Sequence, residues 1–164
     1  MNIMKETNFL KKLKRIRKLE LIEPSEEMKS AYLKKAENCL LSAKILLPKN
    51  LYENATSESY YCIYNSLLAL FFKIGIKSEN HSATIALFRK LFKKEDLYKT
   101  ALWAKEERID KQYYVETNHI IKLTKNSCLK MISEAEDFLL KLKVIIKQLN
   151  YEEVKIFRKS FEEL

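Results

Sequence analysis

Glycine occurs once in this chain of 164 residues, at Gly75, and proline twice, at Pro24 and Pro48. So few breakers exclude Gly-rich phosphate loops and leave little room for the hairpin turns of a many-stranded sheet. The three cysteines, Cys39, Cys62 and Cys128, are odd in number, far apart and set among apolar neighbours. No C-x-x-C pair is present, which argues against a zinc site or redox motif and for buried free thiols in a reducing compartment. No metal and no cofactor are expected. Residues 1–21 hold no continuous apolar run of the kind a secretory signal uses. The most apolar stretch, residues 62–76, is interrupted by Asn65, Ser66 and Lys73 and is too short and too polar to span a bilayer. A cytoplasmic protein without membrane contact is the expectation.

What the chain does contain is Leu, Ile, Lys, Glu and Ala in quantity, the composition of long helices. Its length suits one domain with one sizeable core. The formal charge is +9, from 31 basic and 22 acidic side chains. That excess points to a polyanionic partner, most simply RNA or an acidic protein. It equally describes the solvated face of a Lys-rich bundle, and net charge alone does not separate the two.

Apolar periodicity predicts a series of helices. The first ~20 residues read as a basic amphipathic helix, with Phe9, Leu10, Leu13, Ile16 and Arg17 at three- and four-residue spacing among lysines. Ser25 follows Pro24 as an N-cap, with Glu26 and Glu27 in the first turn, where the helix dipole favours acids. That helix should run to about Leu47, with Tyr32, Ala36, Cys39, Leu40 and Ala43 inward. A third helix is expected from about Asn54 to Ile74, stopped by Gly75. Its wide apolar face, with Tyr60, Tyr61, Tyr64, Leu67, Leu68, Phe71 and Phe72, suits the centre of a bundle. Shorter helices are expected over about 82–92 and 97–114. A long helix over about 125–149 carries Leu129, Ile132, Ala135, Leu139, Leu142 and Ile146 at near-heptad spacing, and a short tail helix follows. The fold class is therefore all-α: an up-and-down bundle of four to five core helices over residues 24–150, with a basic N-terminal helical extension (1–23) and a C-terminal tail helix (151–164).

Three pieces of sequence in order carry a resemblance: Tyr60-Tyr61-Cys62-Ile63-Tyr64, then Lys73-Ile74-Gly75-Ile76, then His81-Ser82-Ala83-Thr84-Ile85-Ala86-Leu87-Phe88. They resemble the "YYAxF" helix, "KGI" turn and "HSxxIxLF" helix of the HEPN domain, and best its small stand-alone prokaryotic subgroup. The resemblance covers about residues 25–149. It implies a four- or five-helix bundle, usually a homodimer, and a minimal nucleotidyltransferase as operon partner. In such toxin–antitoxin pairs the HEPN protein is the toxin, often a ribonuclease, and some partners silence it by transferring AMP to a tyrosine beside the active site.

Ribonucleases of that family carry an Arg followed, four to six residues later, by a His. The chemistry needs a group that moves protons near pH 7 and a cation over the phosphorane. Here the matching stretch contains Arg108, but Tyr113 stands five positions later and no His does. Tyrosine titrates near ~10 and is a poor general base unless strongly perturbed. Arg108 and Tyr113 are the catalytic candidates, and Tyr113 and Tyr114 the candidate AMP acceptors. Arg108 could instead form a surface ion pair with Glu107 or Asp110. His119 would stand about 16 Å from Arg108 along a helix, so a bend would have to close that gap. His81 opens a helix, where backbone N–H groups favour anions, although local packing is the simpler role. Asn65 is an amide in an apolar helix and either satisfies a buried partner or lines a cleft. The three tyrosines of that helix read as core or dimer interface, and Trp103 as core or an interface anchor. A non-catalytic subunit that binds a nucleotide or the nucleotidyltransferase remains the alternative.

Overall fold

The computed structural model describes residues 3–113 and 123–164, with side chains from 4 to 108 and from 123 to 164. Within them the chain forms α1 (Ile3–Arg15), β1 (Leu19–Leu21), α2 (Glu26–Leu46), a 3-10 turn (Leu47–Lys49), α3 (Tyr52–Ile74), β2 (Ile76–Ser78), α4 (His81–Phe92), α5 (Glu95–Tyr113), α6 (Lys125–Gln148) and α7 (Tyr151–Glu162). The fold is an all-α helical bundle, with one short strand pair among the described residues.

Local chemistry sets the boundaries. Ser25 caps α2 by accepting a hydrogen bond from the Met28 backbone N–H at 3.1 Å, and Pro48 leads the chain out through the 3-10 turn. Gly75, at φ 73°, ends α3 by returning its N–H to the carbonyls of Phe71 and Phe72. Thr124 and Ser127 form a reciprocal capping box on α6, and Asn150 and Glu153 form one on α7. Helix α3 is the axis. It packs against α2, α6 and α5 and buries a nearly continuous face that includes Tyr60, Ile63, Leu67, Leu70 and Phe71. Burying such side chains stabilises by roughly 1.5–3 kcal/mol each before chain entropy is counted.

The N-terminal helix is shorter than its periodicity suggests. It stops at Arg15, Arg17 turns left-handed at φ 58°, and Leu19–Leu21 pairs antiparallel with Ile76–Ser78. Ile16, expected inward, is exposed, whereas Leu10, Leu13 and Leu19 are buried. Three-residue strands satisfy each other's backbone groups without leaving a readable period. In α6, Leu129 points outward, 44 % exposed, while Cys128, Met131 and Ile132 take the inward stations. Helix α7 clasps the corner where the strands leave the bundle. Arg158 donates from Nη1 to the carbonyls of Ile22 (2.6 Å), Gly75 (3.0 Å) and Ile74 (3.3 Å). Beside it Phe157 stacks on Phe92 at 4.3 Å. Among the described residues, no helix is long and apolar enough to cross a membrane.

Candidate functional site

Three elements meet beside the middle of α3. The strand β2 and the cap Asn80, whose side chain accepts from the Ala83 N–H at 2.9 Å, fix where α4 begins. His81 is therefore its first residue, aimed at α3. Helix α5 lies along α3 and α4 and carries Lys105 and Arg108 one turn apart, on the same side.

Tyr60 and Tyr61 join these elements. Tyr60 Oη and His81 Nδ1 share a hydrogen bond of 2.5 Å, and the imidazole lies flat on Tyr64, with centroids 3.8 Å apart and planes 9° from parallel. Arg108 donates from Nη2 to Tyr61 Oη at 3.0 Å. Its guanidinium carbon stands 4.9 Å from the Tyr61 ring centre and 5.3 Å from that of Tyr60, within cation–π range. Arg108 Nε is buried without a hydrogen-bond partner among the described residues. Lys105 donates to Ser82 Oγ at 2.6 Å, so two cations and an imidazole share one corner.

That corner tunes the imidazole. Burial, then the charges of Arg108 and Lys105, hold His81 below its ordinary 6.5. At neutral pH the ring is thus largely uncharged and able to accept a proton. Burial pushes the Tyr60 hydroxyl well above the ordinary range, so it stays protonated. The Tyr60–His81 bond admits either tautomer. When Nδ1 donates to Tyr60, Nε2 holds the lone pair a general base needs.

Tyr61 also walls a second feature, a cleft of about 380 Å³ between α2, α3 and β2, with Tyr32, Tyr64, Asn65 and Phe72 among its lining residues. Asn65 is only 2 % exposed, and its amide donates to Cys39 Sγ across 3.7 Å, a weak bond. The Cys39 thiol is pushed up to about 11 by burial first and then by Glu58, so it remains a thiol.

Of the residues singled out by sequence, Arg108 and His81 come together through the tyrosines, and Asn65 lies in the adjoining cleft. Tyr113 ends α5, and its side chain lies outside the described residues, as do Tyr114 and His119 altogether. Two expectations need sharpening. His81 does pack locally, but its packing partners are the residues that hold Arg108. Tyr61, read as core or dimer interface, is half-buried and its hydroxyl accepts a hydrogen bond from Arg108. Lys105 was not singled out. A lysine on a polar helix carries no sequence signal, and only the approach of α4 to α5 gives it a role.

The family model of the HEPN domain matches residues 30–145. The chain belongs to the HEPN domain family. The matched segment runs from the first turns of α2 almost to the end of α6, so this HEPN domain contains Asn65, His81, Lys105 and Arg108, while α1, β1 and α7 flank it. No curated protein matches the chain. Membership in the HEPN family suggests a ribonuclease or nucleotide-binding role.

Proposed function

We propose that this HEPN protein is the toxin of a toxin–antitoxin pair: a metal-independent endoribonuclease that a minimal nucleotidyltransferase silences by transferring AMP to Tyr113 or Tyr114. The observation that carries the reading is the pairing of Arg108 with His81 across Tyr60 and Tyr61. In this reading His81 takes the part of the imidazole that the spacing after Arg108 lacks.

In this reading Arg108 grips a non-bridging oxygen of the scissile phosphate and stabilises the charge of the phosphorane. The neighbouring 2′-hydroxyl attacks phosphorus as its proton passes to His81 Nε2. The bond from phosphorus to the 5′-oxygen breaks, and that oxygen takes a proton from water. The products are a 2′,3′-cyclic phosphate and a 5′-hydroxyl, and the imidazolium returns its proton to solvent. A homodimer would set two such centres over one RNA.

Expression of the chain should arrest growth, Arg108→Ala should relieve the arrest, and purified protein should leave RNA ends carrying 2′,3′-cyclic phosphate. Undiminished arrest by the Arg108 variant would refute the assignment. Mass spectrometry after incubation with the partner and ATP would map the added AMP.

One observation favours a second reading, a non-catalytic subunit that binds a nucleotide or recruits the nucleotidyltransferase. The residue five positions after Arg108 is Tyr113, and the guanidinium is already engaged by two phenol rings. Purified protein that binds its partner or a nucleotide but leaves RNA intact would decide for it.

A further inference from the structure

We infer that the cleft between α2, α3 and β2 is a nucleobase site, which holds the unpaired base of an RNA nucleotide whose phosphate lies on Arg108. The inference rests on Arg108 as a phosphate holder, but its own observations lie in the cleft. The volume, about 380 Å³, is within the range of sites that enclose small ligands. Its walls are aromatic. Tyr32 and Phe72, stacked on each other at 5.1 Å and 14°, line it together with Tyr61 and Tyr64. Unpaired bases bind on such surfaces by stacking, whatever their identity.

Asn65 sets the polarity. It is 2 % exposed, it lines the cleft, and the bond its amide makes is the long one to Cys39 Sγ. A buried amide with so weak a protein partner is matched by a ligand edge that carries both a donor and an acceptor, as a base does. The charges in the cleft argue against a bare phosphate there. Lys77 is paired with Glu79 at 2.7 Å, Glu79 is also held by Lys18 at 2.8 Å, and Lys35 leans over the Tyr32 ring at 5.8 Å. Arg108 stands just outside the cleft, donating to the hydroxyl of Tyr61, a residue that also lines it. Base and phosphate of one nucleotide would thus meet at a single tyrosine.

The test uses the full chain with adenosine as the probe, read by saturation-transfer NMR and equilibrium dialysis. Adenosine should bind, and ribose at the same concentration should bind at least tenfold more weakly. Asn65→Leu, which keeps the branched outline and removes the amide, should weaken adenosine at least tenfold. Tyr32→Leu, at the rim of the cleft, should do the same with the helical circular dichroism unchanged, which covers the case where the Asn65 variant does not fold. The site is overturned by absent adenosine binding, by ribose binding equally well, or by a folded Tyr32 variant that keeps full affinity. RNA cleavage is measured on the same preparations. Cleavage without adenosine binding sinks the base site alone, and adenosine binding without cleavage sinks the ribonuclease reading alone.

Discussion

Gly75 and Arg158 form a coupled pair whose energetics can be worked from the geometry. A Cβ on Gly75 would lie 2.0 Å from Arg158 Nη1, 2.6 Å from the Ile22 carbonyl oxygen and 3.0 Å from Pro24 Cδ. Gly75→Ala therefore has two costs. The left-handed backbone at φ 73° costs a residue with a Cβ about 1–2 kcal/mol. The guanidinium must also retreat and give up its three carbonyl partners. A hydrogen bond from a charged donor contributes roughly 1.5–3 kcal/mol, but the released, half-buried Arg158 regains water, so about 2 kcal/mol is a fair total for the clasp. Gly75→Ala should then lose about 3–4 kcal/mol and Arg158→Ala about 2 kcal/mol. The double variant should lose about 3–4 kcal/mol rather than the sum, because the clasp can be lost only once. Urea unfolding followed by circular dichroism gives all four stabilities if the transitions stay two-state with equal slopes. Additivity within about 0.5 kcal/mol, or a Gly75→Ala cost below about 1 kcal/mol, would refute the reasoning. The corner matters to the site because β2 starts at the next residue and leads through Lys77 and Asn80 to His81.

Tyr61→Phe keeps the ring under Arg108 but removes the phenol that orients the guanidinium. RNA cleavage should fall about 10- to 100-fold while the urea midpoint barely moves, and an unchanged cleavage rate would deny Tyr61 its orienting role. Because burial, Arg108 and Lys105 hold His81 below 6.5 in the folded chain, the unfolded chain takes up the proton first as pH falls. Stability should therefore decline from about pH 7 downward through the folded value. His81→Phe, which retains a flat ring against Tyr64, should flatten that decline in urea midpoints measured between pH 7.5 and 5. Asn80→Ala removes the cap of α4 and should cost about 1 kcal/mol, with RNA cleavage falling further than stability alone accounts for, since the cap sets where His81 stands.

The fold was largely legible because its signals are local. Ser25, Gly75 and the tyrosine stripe mark the ends and the buried face of α2 and α3 through backbone chemistry and a 3.6-residue period, and the helices follow them. The strand pair was not legible. Leu19–Leu21 and Ile76–Ser78 lie 57 residues apart and are each too short to show alternation. Their pairing depends on Arg17 leaving the helix and on the chain turning at Gly75, neither of which registers as hydrophobic periodicity. The inward face of α6 was misread at Leu129 for a related reason. A heptad count presumes a single partner helix, and α6 packs on both α3 and α2.

The candidate site was legible as separate residues, Arg108, His81 and Asn65 among them, and not as one constellation. Reading outward from Arg108 along its own helix finds Tyr113 where the family pattern has a histidine, and leaves His81 as a second candidate on another helix. A bundle does not require the partner to be on the same helix. His81 is 27 positions earlier, on a helix whose start is set by Asn80. It shares a corner with Arg108 because α3 presents two consecutive tyrosines whose hydroxyls bond to different neighbours, Tyr60 to the imidazole and Tyr61 to the guanidinium. Consecutive residues on a helix point about 100° apart, so a Tyr-Tyr pair can address two flanking helices at once. The pair marks a junction between α4 and α5 in addition to the core it helps to fill.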